Sequence, residues 1–303
     1  MASQKIKNVF ALQTGTVATL ASPTQLVGPM VCQYTAGFGD VVAGGDGLAG
    51  DAVDADGPFQ CSWQIDCQDV STFAAQLALF EVGLRAIQWE GREDNVLTVH
   101  KWLIKRAALV GASLSVQKDQ VAKVSYSGKV AAAAASTSEA DEIVVTAGAA
   151  KTATIGSGKR TYRIHTVTHG DVAIEAVNGL NLTISGKGDA GASGDNDFGE
   201  SIMVDSWNVT GSLTIQDQTV ATATSRAQKL TAAARGSLIA QLRQTDGSTD
   251  TQLTLANLKF KRYTNVMRTD EWAAVEVPFR CLAVSGTTPY GLASGANKII
   301  TMA

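Results

Sequence analysis

Residues 97–106, LTVHKWLIKR, and residues 253–262, LTLANLKFKR, are nearly the same segment. An internal repeat constrains the fold of a whole chain more than any local pattern does, because each copy must build the same unit. One offset of 156 matches Leu97 to Leu253, Thr98 to Thr254, Val99 to Leu255, Lys105 to Lys261 and Arg106 to Arg262. Further upstream SWQIDCQDV (62–70) aligns with SLTIQDQTV (212–220) at an offset of 150, through Ser62/Ser212, Ile65/Ile215, Gln68/Gln218 and Val70/Val220. The expectation is two copies of one domain, with about six residues gained between the matched blocks.

The local patterns follow the same order in both copies. Cys61, Trp63, Ile65 and Cys67 alternate with Ser62, Gln64 and Asp66, the period of a half-buried strand. Asp69 offers an N-cap to a helix over VSTFAAQLALFEVG, with Val70, Phe73, Ala74, Leu77 and Leu84 at helical spacing. In the second copy Trp207, Val209, Leu213 and Ile215 share a strand face, and VATATSRAQKLTAAARG follows as a helix with Ala223, Ala227, Leu230 and Ala234 in line. Strands over LRAIQWEG and SLIAQLRQ come next, then polar turns and the repeated block. Within that block Leu97 and Val99 give way to Trp102 and Ile104, as Leu253 and Leu255 give way to Leu258 and Phe260. A face change in mid-strand requires a bulge or sharp bend. VAKVSYSGKV and WAAVEVPFRCLAV read as closing strands.

Two Gly/Asp-rich stretches precede the first matched strands, residues 35–58 and 185–200. They read as long loops, which inside compact domains tend to serve binding. Asn178 and Gly179 suggest a hairpin turn. The expected organisation is a first domain over 1–135, a linker and start of the second copy over 136–160, a second domain over 161–285 and a C-terminal arm over 286–303, free or docked on a neighbour. The fold class expected is mainly β with an α+β character, each copy carrying one flanking helix.

Composition narrows the functional classes. A net charge of −3 over 303 residues supplies no global basic field, which disfavours a protein that grips nucleic acid through its phosphates and leaves open one that surrounds it. Cys32, Cys61, Cys67 and Cys281 show neither a CxxC pair nor zinc spacing; Cys61 and Cys67, within an alternating run, suggest buried filler, and the usage fits a reducing environment. The start lacks the apolar core of a signal peptide, and no stretch approaches the eighteen or so apolar residues of a membrane span, so a soluble product is expected.

Chemistry-bearing motifs are sparse. His165 and His169 would share a strand face, as a metal pair could, but no third ligand is evident. IGSGKR (155–160) lacks the first glycine and the Ser or Thr of a phosphate loop. DAVDADG and GDNDFGE carry oxygen ligands suited to calcium without EF-hand spacing. No nucleophile, base and orienter assemble, so no enzyme, cofactor or resident metal is expected. The paired cations Lys105/Arg106 and Lys261/Arg262 read either as solvated strand ends or as contacts to acidic loops of a neighbouring subunit. Those loops carry Asp46, Asp51, Asp54, Asp56, Asp195 and Asp197.

Two fused, strand-rich units with long insertions and little chemistry suit a closed ring with head-to-tail interfaces. The strand, helix, strand, bent-strand series SWQIDC to LTVHKWLIKR, its counterpart SLTIQD to LTLANLKFKR, the long stretches before each and the closing VEVPFRCLAV together resemble the major tail tube proteins of long-tailed, siphovirus-type bacteriophages. Among these the chain is similar to the duplicated type that builds each ring from three chains. The resemblance covers most of residues 10–285. It implies tail-tube β-sandwich or barrel-forming domains, homotrimeric pseudo-sixfold rings, an inner β-barrel and helices outside. It also implies loops and arms bridging successive rings. The implied partners are further copies of the chain, the tail terminator, tape measure and distal tail proteins, and genomic DNA passing through the lumen without specific binding. No membrane is involved, and the implied location is the virion tail after assembly in the host cytoplasm. A distal tail or baseplate ring protein would share the fold. A sliding clamp would need basic lumen helices, and the first helix is acidic until Arg85.

Overall fold

A computed structural model describes residues 6–15, 24–26, 28, 31–44, 51–93, 99–118, 120–131, 142–147, 162–192, 199–217, 219–244, 250–266, 274–282, 291–295 and 297–303. The chain is mainly β. Its first half runs through β1 (Ile6–Gly15), β2 (Thr24–Gln25), β3 (Val31–Gly44), β4 (Asp51–Cys67), α1 (Phe73–Glu81), β5 (Arg85–Glu93), β6 (Val99–Gln117), β7 (Lys123–Val130) and β8 (Ile143–Ala147). Its second half runs through β9 (Tyr162–His169), β10 (Val172–Ile174), β11 (Val177–Ala192), β12 (Gly199–Gln216), α2 (Val220–Ala232), β13 (Gly236–Gln244), β14 (Asp250–Phe260), β15 (Thr264–Val266), β16 (Ala274–Cys281) and β17 (Ile300–Met302). No helix among the described residues is long and apolar enough to cross a membrane.

Every strand ladder among the described residues is antiparallel, and seven pairings of the first half have a counterpart in the second. β1–β2 answers to β9–β10, β1–β5 to β9–β13, and β3–β4 to β11–β12. β4–β7 answers to β12–β16, and β5–β6 to β13–β14. The long β6 corresponds to β14 and β15 together, so that β6–β7 answers to β14–β16 and β15–β16. Finally β8 lies back on β6 as β17 lies back on β14. One ladder joins the halves: β11 pairs with the distal part of β6, from Gly179↔Gln117 to Ser185↔Gly111.

The alternation read from the sequence holds in each half. Cys61, Trp63, Ile65 and Cys67 are buried between Ser62, Gln64 and Asp66, and Val209, Leu213 and Ile215 are buried on β12. α1 buries Phe73, Gln76, Leu77 and Phe80 and begins three residues later than the apolar spacing suggests. Asp69 does not cap it directly: its carboxylate accepts from Ser71 Oγ at 2.8 Å and from the Thr72 N–H at 3.3 Å, shaping the turn that leads in. α2 is capped by Thr219, whose Oγ1 accepts from the Thr222 N–H, and buries Ala223, Ala227 and Leu230. Ala234 falls beyond its end and is exposed.

The register of the repeat differs from the one the letters suggest. β5 and β13 are both nine residues long and start at 85 and 236, a spacing of 151, which also separates β6 from β14 and β7 from β16. The bulge fixes this. In β5–β6 the register shifts between Ile87↔Ile104 and Arg85↔Ala107, and in β13–β14 between Leu238↔Leu255 and Gly236↔Leu258. Ile104 therefore corresponds to Leu255 and Ala107 to Leu258, in place of the offset of 156. The face changes at Lys105 and Arg106 in the first half, five residues after the point inferred from Leu97 and Val99. In the second half it changes at Asn257, whose φ of 52° is the left-handed conformation of the extra residue. On β4 and β12, equal pairing to β7 and β16 makes Trp63 the counterpart of Gly211, a spacing of 148 in place of 150.

Two further expectations are corrected. The described residues of the Gly/Asp-rich stretches are paired strands: the β3–β4 ladder continues to Gly44↔Asp51 and the β11–β12 ladder to Ala192↔Gly199. Backbone hydrogen bonds need no apolar side chains, so a ladder extends through a stretch whose composition reads as loop. Asn178 and Gly179 make no turn. They lie in β11 at a register shift between Val177↔Ile215 and Gly179↔Thr214, and the backbone bends just before β11 at Ala176, whose φ is 59°.

Candidate assembly interface

The bulge decides where the paired cations sit. Lys105 and Arg106 are half-buried inside β6, beside the ladder to β5, and correspond to Ala256 and Asn257. Lys261 and Arg262 are exposed, just past β14, and correspond to Val110 and Gly111. The two pairs are therefore not equivalent points of a repeated surface. Of the acidic residues expected to face them, Asp51, Asp54 and Asp56 lie on β4 toward the tip of the first hairpin arm. Asp46, Asp195 and Asp197 lie outside the described residues.

A register shift in β9, between Thr166↔Gln241 and Ile164↔Leu242, puts His165 and His169 on opposite faces, which overturns the shared-face expectation. His165 is exposed, whereas His169 is buried edge-on against Phe260 at 5.1 Å. Burial pushes the His169 imidazole below its ordinary pKa, with a lesser contribution from Lys259. Burial also pushes the thiols of Cys32, Cys67 and Cys281 up to about 12, which keeps them protonated and weakly nucleophilic. Among the described residues no group of three His, Cys, Asp or Glu is placed to hold a metal. The residues 155–160 lie outside the described set, as do the side chains of DAVDADG and GDNDFGE.

What the structure offers instead is strand edge. Among the described residues β3 pairs only with β4, and β15 only with β16. Along β3, Cys32, Tyr34 and Ala36 are half-buried and alternate with exposed Val31, Gln33, Thr35 and Gly37. Their counterparts on β11, where β6 covers the edge, are Leu180, Leu182 and Ile184, each at most 1% exposed. At the other edge Lys261, Arg262, Thr264 and Asn265 are exposed. An open edge carries unpaired N–H and C=O groups and is a template for another strand.

A second feature was invisible in the sequence. The tail does not hang free: Leu292, Ala293, Ile299 and Ile300 are buried, and β17 pairs with β14. The Glu81 carboxylate, at the end of α1, accepts from three successive backbone N–H groups, Leu292 at 2.6 Å, Ala293 at 2.9 Å and Ser294 at 2.8 Å. Such a run of N–H groups is an anion nest. Burial alone would raise the Glu81 pKa, but these bonds outweigh it and hold the carboxyl below its ordinary value. The arm thereby ties the second half to the first. A side-chain acceptor serving main-chain donors 211 residues away leaves no local motif.

No model of a known protein family matches the chain, and no curated protein matches its sequence.

Proposed function

We propose that this chain is a ring-forming structural protein of a virion tail. Three chains would give six equivalent positions, and the rings would stack into a tube that conducts DNA during ejection. One observation carries the reading: the second half repeats the pairings of the first and is joined to it edge to edge through β6–β11, while the edges corresponding to that junction, on β3 and β15, are open among the described residues. A unit with complementary open edges adds copies head to tail, and closure by rotation yields a ring. The two hairpin arms extend each half and suit contact with a neighbouring ring. A net charge of −3 suits a conduit that lets DNA slide, because 28 Asp and Glu outnumber 25 Lys and Arg and leave no net attraction for its phosphates. The tail-tube type, with its terminator, tape measure and distal tail partners, rests on the resemblance of the strand, helix and bent-strand series.

Negative-stain electron microscopy of the purified protein over a concentration series tests this. Stacked rings with threefold or pseudo-sixfold end views are the expected result. Single rings that never stack would assign the chain to a distal tail or baseplate position, and persistent monomers would overturn the ring.

The exposed cations give a second prediction. Lys261→Glu with Arg262→Glu is expected to block association while leaving the circular dichroism spectrum and melting temperature of the monomer unchanged. Undiminished assembly would make them ordinary solvated charges.

A further inference from the structure

Among the described residues sixteen strand pairings are present, fifteen of them fall into matched sets between the halves, and only the β6–β11 ladder has no counterpart there. We infer that its counterpart forms between chains: β3 of one copy pairs antiparallel with residues 262–266 of the next, Thr35 opposite Thr264. This rests on the ring reading and specifies its interface.

The register follows from the equivalences already established. Residues 111–115 of β6 correspond, at the spacing of 151, to residues 262–266, the stretch that contains β15. Residues 179–185 of β11 correspond to 31–37 of β3, because Leu182 reaches β12 opposite Gly211 just as Tyr34 reaches β4 opposite Trp63. Within the chain Thr183 lies opposite Ser113. Transferring that pair gives Thr35 and Thr264, with Gly37 opposite Arg262 and Gln33 opposite Val266.

Side-chain burial agrees with this transfer. Cys32, Tyr34 and Ala36 stand where Leu180, Leu182 and Ile184 stand, on the inward face, yet remain half-buried, as no strand among the described residues lies beyond them. An added strand would finish their burial. Thr35 and Thr264 are both exposed and offer an opposed pair of the kind that stabilises neighbouring strands. The bond pattern is that of strand addition, in which main-chain groups supply affinity and alternate side chains supply register. The partner is a second copy of this chain, because only it carries the edge matching the internal junction.

Directly opposed residues of an antiparallel pair have Cα atoms about 4.5–5.5 Å apart, within disulfide range. In a Cys32→Ser background, a Thr35→Cys chain and a Thr264→Cys chain should each stay uncrosslinked when oxidised alone and give a covalent dimer when mixed. The chain carrying both changes should give a ladder ending at one closed size, while pairing Thr35→Cys with Arg262→Cys, two residues out of register, should crosslink at least tenfold more slowly. Rings seen by microscopy without the Thr35–Thr264 crosslink would overturn this interface and leave the ring intact. Absence of both rings and crosslinks would overturn the ring reading and this interface with it. Equal crosslinking by the shifted pair would overturn the register.

Discussion

Gly128→Val is expected to prevent the first half from folding, giving insoluble protein or a loss of about 3 kcal/mol or more in urea denaturation. A Cβ at this position would overlap the Ala108 carbonyl oxygen and come within 2.7 Å of the Trp63 ring. The backbone overlap cannot be relieved by moving a side chain. Trp63 lies flat over Gly128 on β7, stacks on Phe80 at 5.5 Å and donates its indole N–H to the Lys129 carbonyl. The corresponding place in the second half holds the reverse arrangement, Gly211 on β12 beneath Phe279 on β16, where an added Cβ would overlap the Asn181 carbonyl and the Phe279 ring. Each half thus sets one aromatic against one glycine and exchanges the strands that carry them, which preserves the packed volume. Gly37→Ala is the control. A Cβ there meets nothing within 4 Å, so the monomer should keep its stability within about 0.5 kcal/mol.

Glu81→Ala is expected to release the C-terminal arm without unfolding the body. Three N–H groups lose a charged acceptor, and allowing for the partial exposure of Glu81 the loss is about 2 kcal/mol, roughly a 30-fold rise in the undocked population. Limited proteolysis near residue 292 and faster amide exchange at Leu292–Ser294 would report it, and unchanged protection would show that burial of Leu292 and Ile300 holds the arm unaided. The same contact gives the wild-type arm a pH dependence. Because the carboxyl has a lower pKa docked than free, its contribution is complete above the ordinary value of 4.5 and is lost as pH falls through the docked value. Arm cleavage should therefore rise under acid conditions in the wild type and remain flat in Glu81→Ala.

The places where sequence and structure part company share a cause. Alternation of Cys61, Trp63, Ile65 and Cys67 is a property of neighbouring residues, so the strand and its buried face could be read directly. The equivalence of LTVHKWLIKR with LTLANLKFKR was a likeness of letters, and a bulge counts residues that letters do not mark. Lys105 and Arg106 accordingly became bulge residues on the first half, with no relation to Lys261 and Arg262. His165 and His169 were separated by the same device on β9. The two Gly/Asp-rich stretches read as loops because composition reports side chains, whereas a ladder is built from backbone.

By itself the sequence determined the alternating faces of β4 and β12, the helices that follow them and that the order strand, helix, strand, strand comes twice, since these depend on periodicity and on local propensity. Tertiary structure alone decided the register of the two halves, the reach of the hairpin arms, the capture of Leu292–Ser294 by Glu81 and the edge left open on β3. Each depends on which backbone groups find partners far along the chain, and that pairing is fixed only when the whole sheet is assembled.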